Sequence, residues 1–396
     1  MIRNVAKRWR ELSGQHGWRN LLNPLDADMQ TYLLHYGGMA QVTYDTFNKQ
    51  QMSRYAGSSR YARNNLFHAT GSAKGSPYRY DAVKYIYATA SIGGLPQGFM
   101  VKSMADNPWM DESNWMGYVA VSTNEGSKAL GRRDILVAWR GTVLPVEWMK
   151  DADAQLIPAT DIMGGGGASG AKLHQGFHSI YTAKSASSSF NKTSARDQVL
   201  SEVKKQLDKH KGEDVSITIT GHSLGGALAT INATDIAYNG LNKSRPVTAI
   251  TFAAPQVGDR RYKEVLDSTK DCRVLSVRNV PDIVPRVPGA AAGYKNVGVE
   301  YKINSTRAPD TRAPGDPLTG HLLESAYLHT IATARPGKNK RDINLVNKDS
   351  DMLKPEFKVP GFWWGEKNGG FVQRNDGSWA MDDHQMDSGD PKGIDD

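Results

Sequence analysis

The chain holds a single cysteine, Cys272, and that scarcity excludes any intrachain disulfide and any cysteine-rich zinc site. The thiol reads as core filling, and the absence of disulfides fits a reducing compartment. No uninterrupted apolar run approaches the roughly 18 to 20 residues that a bilayer-spanning helix needs. The first 30 residues also lack a hydrophobic stretch of signal-peptide type. Membrane spanning and Sec-type export are therefore not expected, and the N-x-S/T sequons at Asn191, Asn232, Asn242 and Asn304 read as chance matches. There is no internal repeat, zinc-finger pattern, RNP-like motif, basic zipper, metal-ligand cluster or phosphate-cradling loop. Neither nucleic acid nor any cofactor is implied.

What is present is a 396-residue chain of near-average globular composition, long enough to bury a sizeable core unaided. Its net charge of +8 is unevenly spread. Arg3, Lys7, Arg8, Arg10 and Arg19 against Glu11 give +4 over residues 1–20, and seven aspartates against Lys392 give −6 over residues 376–396. With the acidic tail set aside the body is more basic than the total, which suits an anionic lipid surface better than nucleic acid.

Ile2, Val5, Trp9 and Leu12 recur at spacings of three and four, which predicts an amphipathic helix over 2–12. Two readings stand: a helix docked on its own core, which the shortness of the stretch favours, and a helix lying on anionic lipid, which would make the chain a lipid adaptor. Met29, Leu33, Tyr36, Met39 and Ala40 mark a second, core-facing helix after Asp26. From about residue 80 short β-branched and aromatic runs read as strands at 85–87, 118–121, 135–139, 215–220, 247–252 and 273–277. Helical stretches at 195–209, 224–238 and 321–334 fall between or after them. This alternation predicts an α/β protein with a mainly parallel, doubly wound sheet. Gly164–Gly170 and Arg307–Gly320 read as loops, and the tail is polar enough that its last dozen residues are expected to be disordered. No linker divides two domains. The expected organisation is an N-terminal helical cap over 1–80, a core over 81–345 and a C-terminal extension over 346–396.

The informative segment is Val215 to Ala229, where an alternating apolar strand runs into Gly221-His222-Ser223-Leu224-Gly225 and an alanine-rich helix runs out. A G-x-S-x-G pentapeptide is weak alone; the strand–turn–helix setting makes it a nucleophile elbow of the α/β-hydrolase kind. A serine hydroxyl needs a base, and the base needs a carboxylate to fix its tautomer. In this fold the order is serine, acid, histidine. Asp235, Asp259, Asp267, Asp271 and Asp282 follow the serine, and Asp282 stands out in the strand-end loop Asn279 to Pro285. Among His321, His329 and His384, position favours His321, at the start of a helical run, with His329 left open.

Several motifs in order carry a resemblance: Ala138-Trp139-Arg140-Gly141-Thr142, His174-Gln175-Gly176-Phe177, the elbow, Asn279 to Pro285, and His321 with Leu323-Glu324. Together with the Trp9 region, Asp342 to Asn347 and Gly377-Ser378-Trp379, they resemble the class 3 lipase superfamily, and within it the plant phospholipase A1 group that lacks an organelle transit peptide. The resemblance implies that Ser223, Asp282 and His321 are catalytic, which decides against His329. It implies oxyanion-hole N–H groups at Thr142 and Leu224, and since the backbone would donate there, Thr142→Ala should be mild. Gly320 departs from the residue usual before the family's histidine; His174 is read as structural.

The expected reaction is sn-1 ester cleavage of phosphoglycerides through an acyl-enzyme. Alternatives are a mono- or diacylglycerol lipase and a non-catalytic lipid-binding relative. The apolar stretch between Thr142 and Asp153, with Val143, Leu144, Val146, Trp148 and Met149, matches the family's lid region; a hinge packed in the core is the other reading. The implied setting is cytoplasmic, with peripheral contact to a membrane or lipid-droplet surface. Head-group preference and oligomeric state are not read from the sequence.

Overall fold

The computed structural model describes residues 4–73, 75–89, 100–110, 112–142, 155–164, 168, 170–307, 319–334, 371–373, 376, 379–381 and 383–387. Its centre is a seven-stranded sheet. In chain order the strands are β1 (Tyr80–Thr89), β2 (Ser113–Ser122), β3 (Arg133–Trp139), β4 (Val215–His222), β5 (Val247–Phe252), β6 (Cys272–Asn279) and β7 (Val299–Ile303). They lie side by side in that order: β1, β2 and β3 are antiparallel, and β3 through β7 are parallel. Strands β3, β4 and β5 are buried along their whole length, as sheets covered on both faces require. A smaller antiparallel sheet joins Tyr294–Lys295, Gly258–Asp259, Lys172–His174 and Leu156–Pro158.

Among the described helices are α1 (Val5–Leu12), α2 (Ala27–Thr46), α3 (Ala195–Lys209) and α4 (Leu224–Tyr238), of which α2, α3 and α4 lie on the faces of the sheet. Helix α4 packs on β3 to β6 and α3 on β1 to β3, closing one core that includes Ile217, Leu228 and Ala249. On the opposite face α2 lies across β3, β4 and β5, with Met29, Leu33, Tyr36 and Ala40 in a second core beside Phe252 and Tyr327. The helical region expected to pack on the core does so through α2, which forms one of the layers that the parallel strands need. Asp26 starts α2 by accepting from the Asp28 and Met29 N–H groups at 2.9 and 3.0 Å. Helix α1 buries Val5, Trp9 and Leu12 against α2 and the Asn124–Leu130 helix, so its apolar stripe faces the protein rather than lipid.

Under α2 lies a buried polar knot. Asp134 accepts from the Tyr36, Tyr80, Ser216 and Thr218 hydroxyls at 2.6 to 2.8 Å. Arg132 sits 3.6 Å from that carboxylate and donates to the Tyr32 and Tyr36 hydroxyls at 2.8 Å each.

The helical stretch expected over 321–334 is present and combines three kinds of turn: a 3-10 turn at Thr319–His321 leads into a π-helix, Leu323–Leu328, and then α5 (His329–Thr333). π turns concentrate at functional sites. Residues 383–387 of the polar tail are held by polar and ring contacts. Asn48 donates to Asp383 at 2.6 Å, His384 stacks on Tyr55 at 4.3 Å, Gln385 N–H donates to Arg60 O at 2.8 Å, and Arg63 pairs with Asp387 at 2.6 Å. Its acidic residues find specific polar partners on the loop after α2; the nine residues beyond Asp387 lie outside those described. Of the sequon asparagines, Asn191, Asn232 and Asn242 are buried. Cys272 is half-buried at the start of β6, and burial raises its pKa to about 12, so the thiol stays protonated.

Candidate active site

The turn from β4 into α4 holds Ser223 at φ 57° and ψ −128°. A non-glycine residue at positive φ costs about 1–3 kcal/mol, a strain that concentrates at functional sites. The turn is possible because the residues two positions before and after the serine are glycines: a Cβ on Gly221 would run into the Gly225 carbonyl, and one on Gly225 into that of Trp139. Ser223 is thus fixed at the N-terminus of α4, where the Leu224 N–H, at the first helical position, has no intrahelical acceptor and the helix dipole favours negative charge.

His321 comes to the serine from the end of the 3-10 turn. Its Nε2 lies 3.0 Å from Ser223 Oγ and its Nδ1 2.9 Å from Asp282 Oδ2. With Nδ1–H donating to the carboxylate, Nε2 is left as the acceptor for the serine proton. Asp282 lies in the loop after β6, where its Oδ1 accepts from the Val284 N–H at 2.9 Å. Ser223, Asp282 and His321 are all buried. The other downstream carboxylates have different duties: Asp235 pairs with Arg196 at 2.7 Å, Asp259 caps a helix through the Tyr262 N–H, and Asp267 pairs with Lys263. His329 begins α5 and is not the imidazole bonded to Ser223 and Asp282, while His174 caps the Gln175–Thr182 helix through the Gly176 N–H.

Four supporting groups were not foreseen. Tyr327, from the π-helix, donates to Asp282 Oδ2 at 2.6 Å and accepts from the Asn279 N–H at 3.0 Å. Burial, with the Asp282 charge beside it, raises the Tyr327 pKa well above the usual phenol range and keeps it a donor. Asn279 donates from Nδ2 to Gly320 O at 2.8 Å and fixes the backbone just before the histidine. Gly320 lies close to Pro281, which would stand 3.1 Å from a Cβ there. His222, the variable residue of the pentapeptide, donates from Nε2 to the His321 carbonyl at 2.7 Å, while its Nδ1 accepts from Tyr44 at 2.7 Å.

Thr142 follows β3 beside the elbow, and its hydroxyl is buried with no hydrogen-bond partner among the described residues. An orphan of that kind costs about 1–3 kcal/mol. The hydroxyl is thus a buried donor with its proton uncommitted among the described residues. Val280, Ile283 and Leu322, close to Asp282 and His321 in sequence, are large apolar side chains left 46%, 45% and 48% exposed. Val143, Leu144, Val146, Trp148 and Met149 lie outside the described residues.

One buried histidine, His222, and one half-buried, His35, give the fold a pH dependence. Burial lowers the His222 pKa well below its usual value, with His321 adding to the effect. His35, among the rings of Tyr36, Tyr78 and Tyr80, is lowered to about 3 by burial. Asp45 moves oppositely, raised to about 7 by burial with Glu324 nearby. Below about pH 6.5 the unfolded chain protonates both histidines while the native state does not. Asp45 offsets one of them, because between about pH 4 and 7 the native state carries a proton there that the unfolded chain has lost. These three groups therefore make the native state less stable as pH falls from about 6 to 4. In a urea series His35→Gln should flatten that slope by about 1 kcal/mol per pH unit, and an unchanged slope would refute this assignment.

Residues 136–292 match the family described as Lipase (class 3). The chain is 46% identical over 391 residues to "Phospholipase A1-II 1" of Oryza sativa subsp. indica, spanning 97% of this chain and 98% of that one. It is likewise 46% identical over 404 residues to "Phospholipase A1-IIgamma" of Arabidopsis thaliana, spanning 98% and 95%. Among solved structures, Lip2 lipase of Yarrowia lipolytica superposes with a TM-score of 0.47 at 18% identity, covering 70% of this chain and 80% of that one.

Proposed function

Since the chain belongs to the class 3 lipase family and to its phospholipase A1-II type, we propose that it cleaves the sn-1 ester of phosphoglycerides through a covalent acyl-serine at Ser223. As a member of that family it is a carboxylic ester hydrolase that acts on lipid esters. The observation that carries the mechanistic reading is the unbroken chain from Ser223 Oγ through His321 to Asp282, at 3.0 and 2.9 Å, on a strained turn at a helix N-terminus.

In this reading Ser223 Oγ attacks the ester carbonyl carbon as its proton passes to His321 Nε2, and Asp282 stabilises the imidazolium. The Thr142 and Leu224 N–H groups, with the Thr142 hydroxyl, receive the oxyanion. His321 then protonates the departing lysolipid alcohol, and a water activated by the same base releases the fatty acid. Thr142→Ala removes one donor to the oxyanion and should lower kcat about tenfold with KM little changed; a variant indistinguishable from wild type would return the role to the backbone alone.

The exposed apolar side chains of Val280, Ile283 and Leu322 support a lipid substrate, and the excess of basic residues supports contact with anionic lipid. On this reading the enzyme works in the cytoplasm by peripheral contact with a membrane or lipid droplet. Mass spectrometry of the products from a mixed-acyl phospholipid, run beside a diacylglycerol, tests position and head group together. Release of the sn-1 chain and a 2-acyl lysophospholipid is the expected result. Turnover of diacylglycerol alone would make the protein an acylglycerol lipase, and no turnover of either would favour a lipid-binding relative.

A further inference from the structure

We propose that Arg140 is the positioning residue of the oxyanion pocket: its guanidinium holds the Gly141 carbonyl and so fixes the direction of the Thr142 N–H. This rests on the reading of Thr142 as an oxyanion donor.

Arg140 follows the last residue of β3 and is fully buried. Its own N–H donates to Met116 O at 2.8 Å, its Nε to Trp115 O at 3.0 Å, and its Nη2 lies 3.2 Å from Met116 Sδ. The Phe47 ring, just past the end of α2, stands 3.7 Å from the guanidinium carbon. The head group is therefore anchored on β2 and backed by the N-terminal region before it reaches the site. From that anchorage Nη1 donates to Gly141 O at 2.8 Å.

The Gly141 carbonyl and the Thr142 N–H belong to one planar trans peptide and point in opposite directions. Holding the carbonyl toward the guanidinium leaves the N–H pointing away from it, and prevents the rotation that would exchange the two. Gly141 itself is pressed against the elbow: a Cβ there would collide with the Tyr44 hydroxyl and stand 2.6 Å from the His222 carbonyl. The peptide is thus wedged between a fixed cation and the residue before the nucleophile. An oxyanion donor stabilises charge well only if it needs no reorientation as the charge develops. A rigid guanidinium fork can serve Trp115 O and Gly141 O together, which a lysine ammonium on a flexible stem does poorly and a methionine not at all. Burial lowers the Arg140 pKa to about 10, which still leaves it charged at neutral pH.

A merely structural role, as a clip between β2 and β3, would reduce the amount of folded enzyme and leave each folded site intact. The test uses the full chain with Arg140→Met and Arg140→Lys. A fluorophosphonate, in which Ser223 Oγ bonds to phosphorus as the P–F bond breaks and fluoride leaves to solvent, forms a tetrahedral adduct; it counts sites by its end-point stoichiometry and reports oxyanion stabilisation by its rate. A soluble chromogenic ester gives kcat per labelled site and KM. For Arg140→Met, kcat per site is expected to fall about 100-fold, with KM within twofold and phosphonylation slowed in parallel. Arg140→Lys should lie between. Should Arg140→Met not fold, Arg140→Lys decides alone: a fall of more than threefold per site supports the inference, and a smaller one, accompanied only by a lower thermal midpoint, overturns it. If the wild-type chain takes no phosphonate at Ser223, the serine mechanism itself falls and this inference with it.

Discussion

Ser223→Ala is expected to lower turnover of a chromogenic ester and of a phosphoglyceride alike by about 10⁴- to 10⁶-fold, the loss found when the nucleophile of a serine triad is removed, with the fold unchanged. The size follows from geometry. Oγ is the atom that forms the acyl bond, and His321 Nε2, 3.0 Å away, has no other hydroxyl partner among the described residues through which to work. What survives should be the small rate supplied by oxyanion donors and binding alone. Circular dichroism and the urea midpoint would show an intact protein, and Ser223→Gly should be the more stable of the two variants, since glycine adopts φ near 57° without strain. A Ser223→Ala enzyme that kept even a hundredth of wild-type turnover would end the serine mechanism.

The largest effect on stability is expected at the opposite end of the sheet. Asp134, near the start of β3, gathers hydroxyls from α2, β1 and β4 around one carboxylate, with Arg132 beside it. Burial alone would push the Asp134 pKa up, but Arg132 and the Ser216, Thr218 and Tyr80 hydroxyls outweigh it and hold the pKa below the usual range. Asp134→Ala strands a buried guanidinium and leaves four hydroxyls without their acceptor, which should cost about 3–5 kcal/mol. A double replacement, Arg132→Met with Asp134→Leu, removes the stranded charge as well and should recover part of the loss. The urea midpoint measures both. Because Ser223 lies beyond the far end of β4, kcat per labelled site should stay near wild type in each. A shift under 1 kcal/mol in Asp134→Ala would show that the knot fills space without holding the layers together.

The parts of this molecule that could be read in advance are those whose cause is local. The strand into Ser223 and the helix out of it are written in consecutive residues, as is the rigid loop that carries Asp282. Helices α3 and α4 begin and end where their patterns do. The groups that hold the triad were hidden because they come from elsewhere: Tyr44 stands 178 residues from His222, His222 stands 99 from His321, and Tyr327 stands 45 from Asp282. Nothing in the spacing of a tyrosine reveals which carboxylate it will meet. Periodicity likewise gave α2 a buried face without showing which strands it would meet. The contacts of the tail were hidden for a different reason. Composition counts charges and cannot see that Asp383 and Asp387 have Asn48 and Arg63 waiting for them.

The two carbonyl bonds at Gly320 and His321 bear on how such a protein can diverge. Asn279 at the end of β6 grips one and His222 at the end of β4 grips the other, so the catalytic base is located by the sheet rather than by the segment that delivers it. The imidazole is thereby aimed by two strand ends, so the chemistry should tolerate substitution elsewhere in the segment that carries the histidine as long as Asn279 and His222 keep these two carbonyls.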